Sequence, residues 1–130
     1  EGRVNFVFRH FPLTQLHPEA FKKAEAAECV GEQGGNDKFW SFMDKIFEGD
    51  ETLSTIADIA ASVGVDKAKF QECLDSGKYT SKVQSQSKEA QAAGGRGTPY
   101  SIIITGDQKI PIPGALPFES VKTSLDALLK

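Results

Sequence analysis

The sequence contains no Cys-x-x-Cys, no long apolar run and no surplus of positive charge. It has 15 Lys and Arg against 18 Asp and Glu, for a formal net charge of −3. That balance excludes the basic footprint of a nucleic-acid binder and the polybasic patch of a peripheral membrane protein. Apolar stretches such as Ile102–Ile104 fall far short of the roughly 20 residues that span a bilayer. Cysteine is limited to Cys29 and Cys73, methionine to Met43 and tryptophan to Trp40. No signal-peptide pattern, phosphate loop, nucleophile elbow or paired acid is visible. The chain opens at Glu1 rather than at a methionine, so an upstream segment is expected.

What is present suits one globular domain. The chain has 130 residues, 39% hydrophobic and 25% charged, which argues for a packed core rather than disorder. Val4, Phe6 and Phe8 alternate with Asn5, Val7 and Arg9, and this period of two predicts a strand ended by Pro12. His17-Pro18-Glu19 reads as a helix entry, and the helix stops around Gly31 to Gly35. Asn36 or Asp37 starts a second helix, rich in Phe39, Trp40, Phe42 and Phe47 and ended by Gly49. A third carries Leu53, Ile56, Ile59, Ala60 and Val63 up to Gly64. Asp66 caps a fourth, with Phe70, Cys73 and Leu74 on one face and Gly77 closing it. Tyr79 to Ala93 predicts a weaker, surface helix.

Gly94, Gly95 and Gly97 break the helical pattern. Tyr100 to Thr105 predicts a strand, Gly106-Asp107 a turn, and Lys109 to Ile112 a short partner strand held at a sheet edge by Pro111 and Pro113. Pro117 opens a final amphipathic helix with Phe118, Val121, Leu125, Leu128 and Leu129 on one face. The order is strand, helices, strand, strand, helix: an α/β architecture with a helical insertion.

The two cysteines admit two readings. They are buried free thiols of a cytosolic protein, or they form a structural disulfide in an oxidising compartment. Neither His10 nor His17 stands at metal-ligand spacing from a cysteine, so no metal is expected. Distant helical cysteines on an apolar face also lack the exposure and dipole of a redox-active pair.

Gly97-Thr98-Pro99, just before a strand, resembles the Gly-Thr-Pro loop of thioredoxin-fold proteins. Val4–Leu13, then His17-Pro18 and Ala20, resembles the segment that follows the active-site helix of the DsbA-like thiol–disulfide oxidoreductases. Ala26–Cys29, Phe39-Trp40, Phe47 and Phe70–Leu74 are similar to that family's helical insertion, and Gly114–Phe118 to its last turn and helix. The resemblance covers essentially the whole chain in order, with one departure: the family's first strand and its Cys-x-x-Cys helix are missing. The chain therefore resembles a portion of a longer protein.

The resemblance implies a thioredoxin-like fold, with 1–15 and 95–130 as the thioredoxin-like part and 16–94 as the mainly helical insertion. It implies an extracytoplasmic parent (periplasmic, secreted or membrane-tethered) that exchanges dithiols and disulfides with protein or peptide substrates, without a cofactor. In that setting Cys29 and Cys73 form the structural bridge, which cytosolic relatives would have little use for. A cis Pro99 turns the Thr98 backbone toward an extended substrate. Gly97, Thr98 and Pro99 form the expected substrate-binding loop, and this chain carries no catalytic residue and is redox-inactive alone. Unpaired sheet edges imply homo-oligomer formation or strand exchange. Two other readings remain: a redox-dead peptide-binding module, and an isomerase or glutathione-transferase relative. Arg9, His10 and His17 are expected to serve structure, and Phe39, Trp40 and Phe42 the core.

Overall fold

The computed structural model describes residues 2–49 and 52–130. The chain forms two compact units, one of Glu1–Arg9 with Lys88–Lys130 and the other of His10–Ser87.

The His10–Ser87 unit is helical. Helix α1 (Ala20–Glu48) is long, but Gly35 inside it takes φ +67° and ψ −165°. Only glycine enters that region without steric cost, so the expected stop near Gly35 becomes a kink between two helical halves. Helix α2 (Ile56–Ser62) follows, and α3 (Lys67–Ser76) starts where Asp66 accepts a hydrogen bond from the Lys69 N–H at 2.8 Å. Gly77 ends α3 in the left-handed conformation, at φ +65°. Helices α1, α2 and α3 pack on one another. Ala24, Ala26 and Ala27 are buried on α1, where small side chains allow close approach. The core between the helices holds Phe42 and Phe70, ring centroids 6.4 Å apart, together with Val30, Ile56 and Val83. Phe42 is fully buried, whereas Phe39 and Trp40 are half-buried and meet edge to face at 5.4 Å.

Helix α4 (Thr80–Ala92) leads out of this unit. Beyond it, β1 (Tyr100–Thr105) and β2 (Gln108–Pro113) form an antiparallel hairpin whose register runs from Tyr100↔Pro113 to Thr105↔Gln108. Two residues, Gly106 and Asp107, close it, with Gly106 at φ +55°, the backbone that short hairpin loops demand. Helix α5 (Phe118–Leu128) opens after Pro117.

The structure corrects one expectation here. Val4–Arg9 forms no strand: the described sheet contains β1 and β2 alone. Alternation tells which face of a strand is apolar, but a strand also needs a hydrogen-bonding neighbour. The described sheet does not extend to this segment, and Phe6 stands 72% exposed. The apolar face of α5 is only half-buried at Val121, Leu125 and Leu128. The helix has no buried residue, and Phe118 is 74% exposed.

Candidate functional site

The loop between α4 and β1 is shaped by three successive amide bonds. The N–H groups of Ala93, Gly94 and Gly95 donate to the carbonyls of Glu89, Gln91 and Ala90 at 2.9–3.0 Å. This ends α4 and satisfies its last carbonyls. Gly94 takes φ +97°, and a Cβ there would lie 3.3 Å from the Tyr100 hydroxyl. That hydroxyl donates to the Ala93 carbonyl at 2.8 Å and pins the loop to the first residue of β1. On the other side, the Gly114 N–H donates to the Pro99 carbonyl at 3.0 Å. The Thr98–Pro99 peptide bond is cis.

Thr98 and Pro99 are exposed, and Gly97 is half-buried. Together with Arg96, Tyr100 and Pro113 they line an open cavity of about 180 Å³. Its walls are mostly backbone, proline and an aromatic ring, with one exposed guanidinium at the rim. Such a surface offers main-chain groups and apolar shelves to an extended chain. Among the described residues that line it there is no thiol and no acid–base pair.

Within the helical unit, Cys29 on α1 and Cys73 on α3 are bonded to each other, with Cα atoms 5.9 Å apart. Cys29 is 1% exposed. Around this bridge stands a polar network that residue spacing did not announce. Glu25, Glu28 and Glu32 lie on one face of α1 at i, i+3 and i+7, and each meets partners more than 45 residues away along the chain. Glu25 is buried, accepts a hydrogen bond from the Thr80 hydroxyl and pairs with Lys22 at 3.0 Å. Glu28 pairs with Lys82 at 2.6 Å and with His10 at 2.9 Å. Glu32 pairs with Lys78 at 2.7 Å and accepts from the Tyr79 hydroxyl at 2.6 Å.

Charges follow from these contacts. Burial pulls the Glu28 carboxyl upward, but the hydrogen bonds from His10 and Lys82 outweigh it and hold the group below its ordinary value. Glu32 is held low by its bonds from Lys78 and Tyr79. The Tyr79 phenol is pushed up to about 12, first by burial, then by the hydrogen bond to Glu32 and that carboxylate's charge.

His10 itself is 3% exposed, and its N–H donates to the Gln86 side chain at 2.8 Å. Arg9 pairs with Glu89 at the surface, and His17 is exposed. Among the described residues no group of three or more His, Cys, Asp or Glu is placed to hold a metal ion. No described helix is long and apolar enough to cross a membrane. A second open cavity, of about 480 Å³, lies between the end of α1 and α2, lined by Lys45, Glu48, Asp58 and Ser62 among others. Its charged residues Lys45, Glu48 and Asp58 are exposed.

Comparison with known proteins gives the family and the fold. The family model described as Thioredoxin matches residues 1–127. The fold superposes on the crystal structure of Pseudomonas aeruginosa DsbA2 with a TM-score of 0.74 and 23% identity, covering 94% of this chain and 70% of that one. Two curated relatives are named as Na(+)/H(+) antiporters. NhaA 1 of Mycolicibacterium vanbaalenii is 33% identical over 105 residues, which is 78% of this chain and 16% of the antiporter. NhaA 3 of Salinispora tropica is 32% identical over 98 residues, 74% of this chain and 15% of the antiporter. The chain thus spans about one sixth of the length of these relatives. With its fold of the DsbA type and the family match running almost end to end, the chain belongs to the thioredoxin family.

Proposed function

We propose that the chain is part of a DsbA-like protein thiol–disulfide oxidoreductase and that Gly97, Thr98 and Pro99 hold the extended backbone of a protein substrate. The observation that carries this reading is the exposed loop. Thr98 and Pro99 stand beside an open cavity of about 180 Å³, anchored from behind by Tyr100 and Gly114. Backbone groups held in place in this way add a substrate as one more strand, at little entropic cost to the protein.

In such an exchange a substrate thiolate attacks an enzyme disulfide and forms a mixed disulfide. A second substrate thiol then displaces the enzyme sulfur, so the substrate is oxidised and the enzyme pair reduced. This chain contributes no thiol to those steps. Its two cysteines are bonded to each other, and Cys29 is shut away from solvent. The Cys29–Cys73 bond therefore serves as a structural staple, and the chain alone is inactive in exchange. The bridge, the DsbA-type fold and the membrane antiporters among the relatives support an extracytoplasmic setting, periplasmic, secreted or tethered to a membrane. The exposed Ile104 of β1 and Phe118 of α5 support self-association.

A second reading is a redox-dead module that only binds extended peptides, favoured by the same absence of a free thiol. Oxidation of a dithiol peptide, followed with this chain and with the chain extended by its native upstream residues, separates the two. Turnover only with the extended chain supports the oxidoreductase. Turnover by the 130-residue chain itself overturns the inactive assignment. Peptide binding at Thr98 without turnover in either form supports the module.

A further inference from the structure

The segment from Gly95 to Pro99 is tied at both ends. The Gly95 N–H donates to the Ala90 carbonyl at 2.9 Å, and the Pro99 carbonyl accepts from the Gly114 N–H at 3.0 Å. Between these ties exposure alternates: Gly95 is buried, Arg96 exposed, Gly97 half-buried and Thr98 exposed. That is the period of an extended chain, and it sets Arg96 and Thr98 on the same side, two residues apart.

Arg96 is the one charged residue among those that line the cavity of about 180 Å³. Two local tasks for its guanidinium are already filled. A basic side chain near a helix end can bind the last carbonyls, but those of Glu89, Ala90, Gln91 and Ala93 accept from backbone N–H groups and from the Tyr100 hydroxyl. Glu89, the carboxylate nearest to Arg96 along the chain, is paired with Arg9. The other groups around the cavity are backbone, proline and the Tyr100 ring, which are indifferent to the charge of what they touch.

A substrate strand that pairs at Thr98 repeats its side chains with the same period of two. The substrate residue two positions from the one opposite Thr98 therefore stands opposite Arg96. A carboxylate there meets a planar fork of donors that matches its two oxygens, whereas a lysine meets like charge. We infer that Arg96 sets the specificity of the Thr98 loop by selecting protein substrates with an Asp or Glu two positions from the residue paired with Thr98. This rests on the substrate-strand reading proposed above and narrows it to one substrate class. The whole chain carries a net charge of −3, so the preference comes from this one guanidinium and not from the field of the chain.

The test is a neutral, thiol-free extended peptide with a single Glu moved along it, and the same series with Gln or Lys. Each is titrated into the 130-residue chain, with the amide chemical shifts of Gly97 and Thr98 as the readout. At one position Glu should bind about two- to fivefold tighter than Gln and Lys weaker than Gln, and the advantage should shrink as salt rises. Arg96→Gln should abolish the preference while the Thr98 shift persists, and Arg96→Glu should invert it in favour of Lys. Peptides that shift Thr98 but bind equally well with Glu, Gln or Lys at every position overturn the role of Arg96 alone, and this comparison requires no variant to fold. A Glu preference that survives in Arg96→Gln overturns it too. Peptides that shift neither Gly97 nor Thr98 overturn both this inference and the substrate-strand reading.

Discussion

His10 Nε2 stands 2.9 Å from Glu28 Oε1, while the other Glu28 oxygen takes a hydrogen bond from Lys82 at 2.6 Å. Three distant parts of the helical unit meet at one carboxylate: the segment before α1, α1 itself and α4. Glu28→Gln removes the charge that holds them and is expected to destabilise the chain by about 1–3 kcal/mol. Urea denaturation at neutral pH measures it.

The same carboxylate gives a pH signature. Its folded value lies below the ordinary 4.5, because the bonds from His10 and Lys82 win over burial. Its contribution is therefore complete above about pH 4.5 and is lost as pH falls through the lower folded value. Glu32 adds in the same direction. Unfolding free energy measured across the acid range should fall less steeply in Glu28→Gln than in the unsubstituted chain.

Tyr79 works at the opposite end of the scale. Its phenol is pushed up to about 12 by burial and by Glu32, so its share of stability is present below about pH 10 and is lost as pH rises through 12. Tyrosinate absorbance should show a late component that vanishes in Tyr79→Phe. In Glu32→Gln that component should shift to lower pH.

Removing the Cys29–Cys73 bond by double serine substitution should destabilise the chain by about 4 kcal/mol. Freeing a loop with a sequence separation of 44 residues restores that much entropy to the unfolded chain. Reductant added to the unsubstituted protein should produce a comparable drop in the denaturation midpoint, and the serine variant should ignore it.

Gly94 sits at φ +97° beside the Tyr100 hydroxyl. Gly94→Ala forces a Cβ into a left-handed backbone and should cost about 1–3 kcal/mol. Tyr100→Phe should cost about 1 kcal/mol by freeing the Ala93 carbonyl. Both should loosen peptide binding at Thr98 while leaving the helical unit folded, which far-UV circular dichroism and peptide titration distinguish.

Local chemistry was legible in the sequence wherever one residue decides a local geometry. Asp66 caps α3, Gly77 ends it, Gly35 breaks α1, and Gly106-Asp107 turns the hairpin. The DsbA-type fold was legible because motifs such as Gly97-Thr98-Pro99 and Gly114–Phe118 occur in a fixed order. Val4–Arg9 misled because alternation cannot say whether a neighbouring strand is present. The Glu25, Glu28 and Glu32 row was invisible for a different reason. Its spacing marks a helix face, but the partners at His10, Lys78, Tyr79, Thr80 and Lys82 are brought there only by packing. The surface helix expected over Tyr79 to Ala93 is corrected for the same reason: Val83 within it is fully buried.

The staple between α1 and α3 also governs how this protein survives a protease. Everything from the kink at Gly35 to the Asp66 cap lies inside the ring it closes. A single cut at the turn Thr52–Thr55 opens the backbone yet leaves both pieces in one covalent molecule. Such a nicked chain would keep its mass in solution and come apart only when a reductant reaches the sulfurs, so oxidising surroundings turn an otherwise fatal scission into a tolerable scar.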